Sequence, residues 1–117
     1  MKKNNKDHKP DYQCEKEGLE NIAEKYRCKI TVIKKEFKKE LYQQYPYGAA
    51  CGCGRLEEGE VFLTDNRWDP PTGLCHWAWS DLRPMIHSVH SGHDSAFISC
   101  CTDGLRPVTF KLERVER

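Results

Sequence analysis

The sequence predicts a small α+β domain, a mostly antiparallel sheet with two helices, that follows a polar N-terminal extension. A chain of 117 residues fits one small domain and not two. Short segments with β-strand alternation are interspersed with two segments of helical periodicity. The predicted order, strand–helix–strand–helix–strand–strand, is typical of the α+β class. We place a flexible, lysine-rich extension at residues 1–25 and a cysteine-containing α+β domain at residues 26–117.

The first strand is predicted at residues 26–34, a segment that alternates and is rich in β-branched residues. Cys28 continues this alternation with Ile30 and Val32. Free cysteine is among the most buried residue types. We therefore interpret Cys28 as a small core residue.

The first helix is predicted in the segment EFKKELYQQY, residues 36–45. Phe37, Leu41 and Tyr45 recur there every four residues, which favours an amphipathic helix with a charged outer face. Pro46 is expected to end it. A second strand is predicted at residues 60–64.

The second helix follows a loop at residues 65–73. Ser80 or Asp81 is expected to cap its start, and Gly92 is expected to end it. Its predicted buried stripe consists of Trp79, Leu82, Ile86 and Val89. Two further strands are predicted at residues 96–101 and 107–116, with a turn at 102–104.

Charge and hydropathy exclude several functional classes. The chain has 19 basic and 18 acidic residues, a net charge of +1, which gives no electrostatic footprint for nucleic acid. No apolar run approaches the roughly 20 residues that cross a bilayer. The first residues contain no apolar segment of the kind found in secretory signals. We therefore expect a cytoplasmic protein, and a protein partner remains an open question.

Seven cysteines in a short chain are the main functional signal. An odd number without a sign of export favours metal binding or redox chemistry over a disulfide framework. Cys53, Cys75, Cys100 and Cys101 lie at predicted element boundaries beside small residues. Four thiolates bind a tetrahedral zinc ion or an iron–sulfur cluster. The sequence therefore predicts such a metal site at these four residues.

The adjacent pair Cys100 and Cys101 complicates this ligand set, because neighbouring side chains in a strand point to opposite faces. Either Cys51 supplies the fourth ligand, or three cysteines leave one position open. The role of Cys51, like that of Cys14, is not fixed by the sequence.

Two other functional classes remain open. In the first, Cys75 at a helix start is a nucleophile or redox thiol that Cys101 or Cys53 resolves. His76, next to Cys75, is a candidate base or ligand, although adjacency in sequence does not establish contact. In the second, the cysteines only pack, and the tryptophan-rich helix docks on a partner.

His87, His90 and His93 form a His-x-x-His-x-x-His run. The first two share a helix face, but the third lies about 120° from the first. A solvent-facing helix end is therefore favoured over a three-histidine metal site.

Two motifs, Gly-x-Cys-x-Trp-Ala-Trp at residues 73–79 and Cys-x-Asp-Gly-x-Arg-Pro-Val at 101–108, resemble those of a small uncharacterised cysteine-containing family. Its members are found chiefly in anaerobic bacteria and have about 90 residues, the length of a small domain. The resemblance covers residues 26–116, with Gly54 in place of a proline. It assigns Cys53, Cys75, Cys100 and Cys101 to family positions. An anaerobic setting implies that reduced thiols or an oxygen-sensitive cluster are compatible with this chain.

Overall fold

The computed structural model describes residues 25–117, so the predicted extension lies outside the described residues apart from Lys25. The predicted α+β class is confirmed: a four-stranded antiparallel sheet is combined with two helices. The elements are β1 (Tyr26–Lys35), α1 (Lys39–Gln44), β2 (Val61–Leu63), α2 (His76–Ser91), β3 (Ala96–Cys100) and β4 (Val108–Glu116). Neither helix is long and apolar enough to cross a membrane.

The sheet has the strand order β2-β1-β4-β3, and every pair is antiparallel. The two long strands, β1 and β4, form its centre, where Ile30 lies opposite Leu112. The register shifts between Val32 and Lys34, which is the signature of a β-bulge. β2 and β3 are the two edges.

The core lies between α2 and one face of the sheet. Alternate residues of β1 and β4 are buried there, as period-2 alternation predicts. The buried residues of these two strands are Cys28, Ile30, Val32, Val108, Phe110 and Leu112. Burial raises the pKa of the Cys28 thiol to about 12, so this thiol stays protonated at neutral pH. The interpretation of Cys28 as a core residue is confirmed.

Helix α1 is shorter than predicted and buries none of its residues. Leu41 is 40% exposed and Tyr45 is 67% exposed, so the expected apolar stripe does not pack against the core. Phe37 precedes the helix, and its ring contacts that of Tyr42 at a centroid distance of 5.5 Å. The four-residue repeat correctly predicted a helix in this segment. The prediction that its apolar side packs against the core is wrong.

Helix α2 begins earlier than predicted, at His76, with Cys75 as its N-cap residue. The expectation that Ser80 or Asp81 caps the helix is wrong, because the Trp79 N–H donates to the Cys75 carbonyl and closes a turn before either residue. Pro84 lies inside the helix on its exposed side. The predicted buried stripe is confirmed.

Gly92 ends α2, as predicted, in the left-handed conformation with φ 82°. A Cβ at this position would lie 2.9 Å from Cε2 of Tyr26. We expect Gly92→Ala to lower the free energy of unfolding by about 2 kcal/mol, from backbone strain and ring displacement together. Urea denaturation measures this change. Gly104→Ala is the control, since its Cβ would meet nothing within 4 Å, and equal midpoints for the two variants would contradict the prediction.

Candidate functional site

A pocket of about 210 Å³ lies where the α1–β2 loop, the start of α2 and the β3–β4 loop meet. Three of its lining residues are the cysteines Cys53, Cys75 and Cys101. All three are half-buried and free of disulfides, and they pack against the core. Arg55, Trp77, Asp103 and Arg106 add polar and aromatic groups to the same lining.

Cys75 owes its place in the pocket to helix α2. As the N-cap residue it lies at the N-terminal end of a 16-residue helix, and its side chain makes no capping hydrogen bond. Its thiol is therefore not engaged by the first turn of the helix.

Cys53 and Cys101 both accept hydrogen bonds from backbone N–H groups at sulfur. Arg55 donates to Cys53 Sγ at 3.5 Å, and Val108 donates to Cys101 Sγ at 3.4 Å. The Cys101 N–H in turn donates to the Val108 carbonyl at 3.1 Å, which fixes Cys101 against the start of β4. N–H donors aimed at sulfur are common around metal-bound thiolates, where they tune the centre.

Cys100, the fourth residue of the predicted ligand set, does not line this pocket. It is the last residue of β3 and is exposed, whereas Cys101 is half-buried. The divergence of neighbouring side chains in a strand explains this difference. Cys51 is also exposed and lies outside the pocket lining.

Arg106 holds the loop of Cys53 against the loop of Cys101. Its Nη2 donates to the carbonyls of Tyr47 and Ala49, and its Nη1 lies 3.8 Å from Asp103 Oδ1. A Cβ at residue 48, where φ is +73°, would lie 2.9 Å from Nη2, so glycine there permits this close approach.

Asp81 and Trp77 attach the first turns of α2 to the segment after Cys101. Asp81 Oδ2 accepts hydrogen bonds from the Thr102 N–H at 2.8 Å and from its hydroxyl at 3.1 Å. The indole Nε1 of Trp77 donates to Thr102 Oγ1 at 2.6 Å. The three cysteine-bearing segments are therefore linked by side-chain hydrogen bonds, none of which the sequence pattern indicates.

The thiols line a common pocket but do not form a closed coordination site. Among residues 25–117, no group of three or more His, Cys, Asp or Glu side chains has an arrangement that could hold a metal ion. The carboxylate of Asp103 is engaged by the N–H groups of Leu105 and Arg106, both at 3.0 Å. It therefore shapes the bend at residues 104–106, slightly later than the turn predicted at 102–104.

The histidine run does not form a cluster. His90 is buried, and its Nε2 lies 2.6 Å from Thr64 Oγ1, so the expectation of a solvent-facing helix end is wrong for this residue. His87 is half-buried with its ring edge-on to Trp68. His93 is exposed beyond the helix, and His76 is exposed at its start.

The tryptophans of α2 also differ. Trp79 is buried in the core, whereas Trp77 is 61% exposed beside the pocket.

Comparisons of the chain with protein-family models, curated proteins and solved structures find no match. The family resemblance stays a prediction, and the functional argument depends on the geometry of the pocket.

Proposed function

We propose that this domain binds a thiophilic metal centre, a zinc or iron ion or an iron–sulfur cluster, through Cys53, Cys75 and Cys101. The observation that carries the proposal is that three half-buried thiols from three separate segments line one pocket of about 210 Å³. Thiolates are soft ligands that select zinc and iron–sulfur centres over hard cations. Three protein ligands would leave a fourth coordination position for a small molecule.

The surroundings of the three sulfurs support this ligand set. The sulfurs of Cys53 and Cys101 accept hydrogen bonds from backbone N–H groups. The third sulfur belongs to Cys75, the N-cap residue of α2. Hydrogen bonds from N–H groups to sulfur are typical of the surroundings of metal-bound thiolates. Cys51 and Cys100 are instead exposed.

Metal binding requires the three sulfurs to approach one another. A change of χ1 from one staggered rotamer to the next displaces a cysteine sulfur by about 3 Å without moving the backbone. The links through Arg106 and Thr102 keep the three segments in place during this change. Reduced thiols are also a requirement, and for that reason we assign the protein to the reducing cytoplasm.

Elemental analysis and an ultraviolet–visible spectrum of the full chain, purified without oxygen and without an affinity tag, test the proposal. We expect stoichiometric zinc or iron. A broad charge-transfer band in the visible region identifies an iron–sulfur cluster, whereas zinc gives none. A colourless, metal-free and folded protein that also fails to bind added Zn²⁺, Co²⁺ or Fe²⁺ would overturn the proposal.

Thiol chemistry at Cys75 is the second candidate function, and one observation favours it. Cys75 lies at the N-terminal end of α2, with Cys53 and Cys101 lining the same pocket. In this case, metal-free protein should react with iodoacetamide fastest at Cys75, with the thiolate displacing iodide. Mass spectrometry of peptides alkylated for different times measures the rates. Equal rates at Cys75 and the exposed Cys51 would exclude an activated thiol.

A further inference from the structure

Within the part of the chain that the structure describes, Arg67 is a buried cation without an acidic partner. It lies in the loop before α2 and is 8% exposed. Its Nη1 donates to Ser91 Oγ at 3.0 Å, whereas its Nε is buried and makes no hydrogen bond. Among the described residues, no carboxylate forms an ion pair with it. Arg67 therefore differs from Arg27, which pairs with Asp65 at 2.7 Å.

A buried guanidinium without a counter-ion is physically unusual. Arginine remains protonated in proteins, and it is rarely buried unless it is paired. A hydroxyl such as that of Ser91 satisfies one donor but supplies no negative charge. A buried group left this way calls for an explanation, and a bound ion is one of the recognised explanations.

The neighbouring face of α2 adds further basic groups. Ser80, Arg83, Pro84 and His87 line a shallow groove there, and Ser91 continues the same stripe one turn beyond His87. Within residues 25–117, the Arg83 side chain is exposed and makes neither a hydrogen bond nor an ion pair. The Nε2 atom of His87 is also buried without a hydrogen-bond partner.

The electrostatics of His87 agree with an excess of positive charge at this face. Burial is the main cause that lowers its pKa, and the charges of Arg67 and Arg83 lower it further. The carbonyl of Arg67 has the opposite, smaller effect as an acceptor. Both charged groups that act on the ring are cations.

We propose that Arg83 and His87 in this groove, with the buried Arg67 held against Ser91 on the same stripe, form a binding site for a phosphate-type oxyanion, either inorganic phosphate or a phosphate monoester. Arg83 supplies charge-assisted hydrogen bonds, and the Ser80 hydroxyl adds a neutral donor. The bound anion favours protonation of His87 and supplies the counter-charge that Arg67 lacks among the described residues. This site lies outside the residues that line the cysteine pocket and does not depend on metal binding.

A proton NMR titration of the full chain tests the site. The His87 ring signal, assigned by its loss in His87→Asn, is followed against pH in inorganic phosphate and in sodium chloride of equal ionic strength. We expect phosphate to raise the pKa of His87 saturably, because a bound anion favours the protonated ring. A parallel titration with glycerol 3-phosphate distinguishes a monoester site, which binds it more tightly, from a site for the free ion. Either order supports the proposal.

Two variants and one control make the test specific. Arg83→Gln removes an exposed cation and should weaken phosphate binding at least about tenfold. Arg67→Met should abolish the rise in Tm that phosphate produces in the wild type, while the protein stays folded. Lys39→Gln removes an exposed cation elsewhere, at the start of α1, and should leave binding unchanged. An equal loss in Arg83→Gln and Lys39→Gln, or no effect of phosphate beyond that of chloride, would overturn the proposal.

Discussion

Cys101→Ser should weaken the binding of Zn²⁺ or Co²⁺ more than about 100-fold, because it replaces a thiolate ligand with a hydroxyl that zinc sites rarely use. Cys100→Ser should change the affinity less than about twofold. The two residues are adjacent in sequence, but only Cys101 lines the pocket and accepts the Val108 N–H at sulfur. The pair therefore separates ligand loss from a general effect of removing a cysteine.

Competition with a chromophoric zinc chelator measures these affinities, and the Co²⁺–thiolate charge-transfer band reports the number of sulfur ligands. Cys53→Ser and Cys51→Ser form a second matched pair, with the loss expected only in Cys53→Ser. If Cys100→Ser lost the metal and Cys101→Ser retained it, the ligand set would be wrong. If all four variants bound as the wild type does, metal binding at the pocket would be refuted.

Local pattern was enough to predict most of the fold. The alternation of Cys28, Ile30 and Val32 identified β1, and the spacing of Leu82 and Ile86 identified the buried side of α2. The start of α2 was missed because Ser80 and Asp81 resemble capping residues ahead of Pro84. In the structure Asp81 lies inside the helix, and its carboxylate accepts a hydrogen bond from the N–H of Thr102, 21 residues further on.

The candidate site was predictable only in part. Sequence reasoning grouped Cys53, Cys75, Cys100 and Cys101, and all of these except Cys100 line one pocket. The exposure of Cys100 depends on where β3 ends and on which face of the sheet its last side chain lies. Neither could be predicted from the local sequence. The hydrogen bond from Arg106 to the Tyr47 carbonyl joins residues 59 positions apart, and no local sequence pattern predicts it.

His90 illustrates a signal that was present but not used. It lies four residues after Ile86 and next to Val89, so helical spacing places it on the buried stripe. Its spacing from His87 and His93 favoured a solvent-facing interpretation instead. The hydroxyl of Thr64, 2.6 Å from Nε2, makes burial of the ring acceptable because it provides a hydrogen bond.

The largest effect on stability is expected at Phe110, which is fully buried at the centre of the sheet. It lies opposite Val32 of β1 and Ser99 of β3. We expect Phe110→Ala to lower the free energy of unfolding by about 4 kcal/mol, from lost apolar burial and the cavity that remains. Domains of this size have about 5–15 kcal/mol in total, so the variant should be largely unfolded in moderate urea.

Ile98→Ala is the matched control, because Ile98 is 66% exposed on the adjacent strand and should cost less than about 0.5 kcal/mol. Urea denaturation followed by circular dichroism compares the two variants. Similar midpoints would show that the core does not lie between β4 and α2.

Val108, on the same buried face as Phe110, holds Cys101 through the hydrogen bonds of its backbone N–H and carbonyl groups. Loss of the Phe110 ring should therefore also increase the rate at which the pocket thiols react with iodoacetamide, since local opening of β4 exposes them.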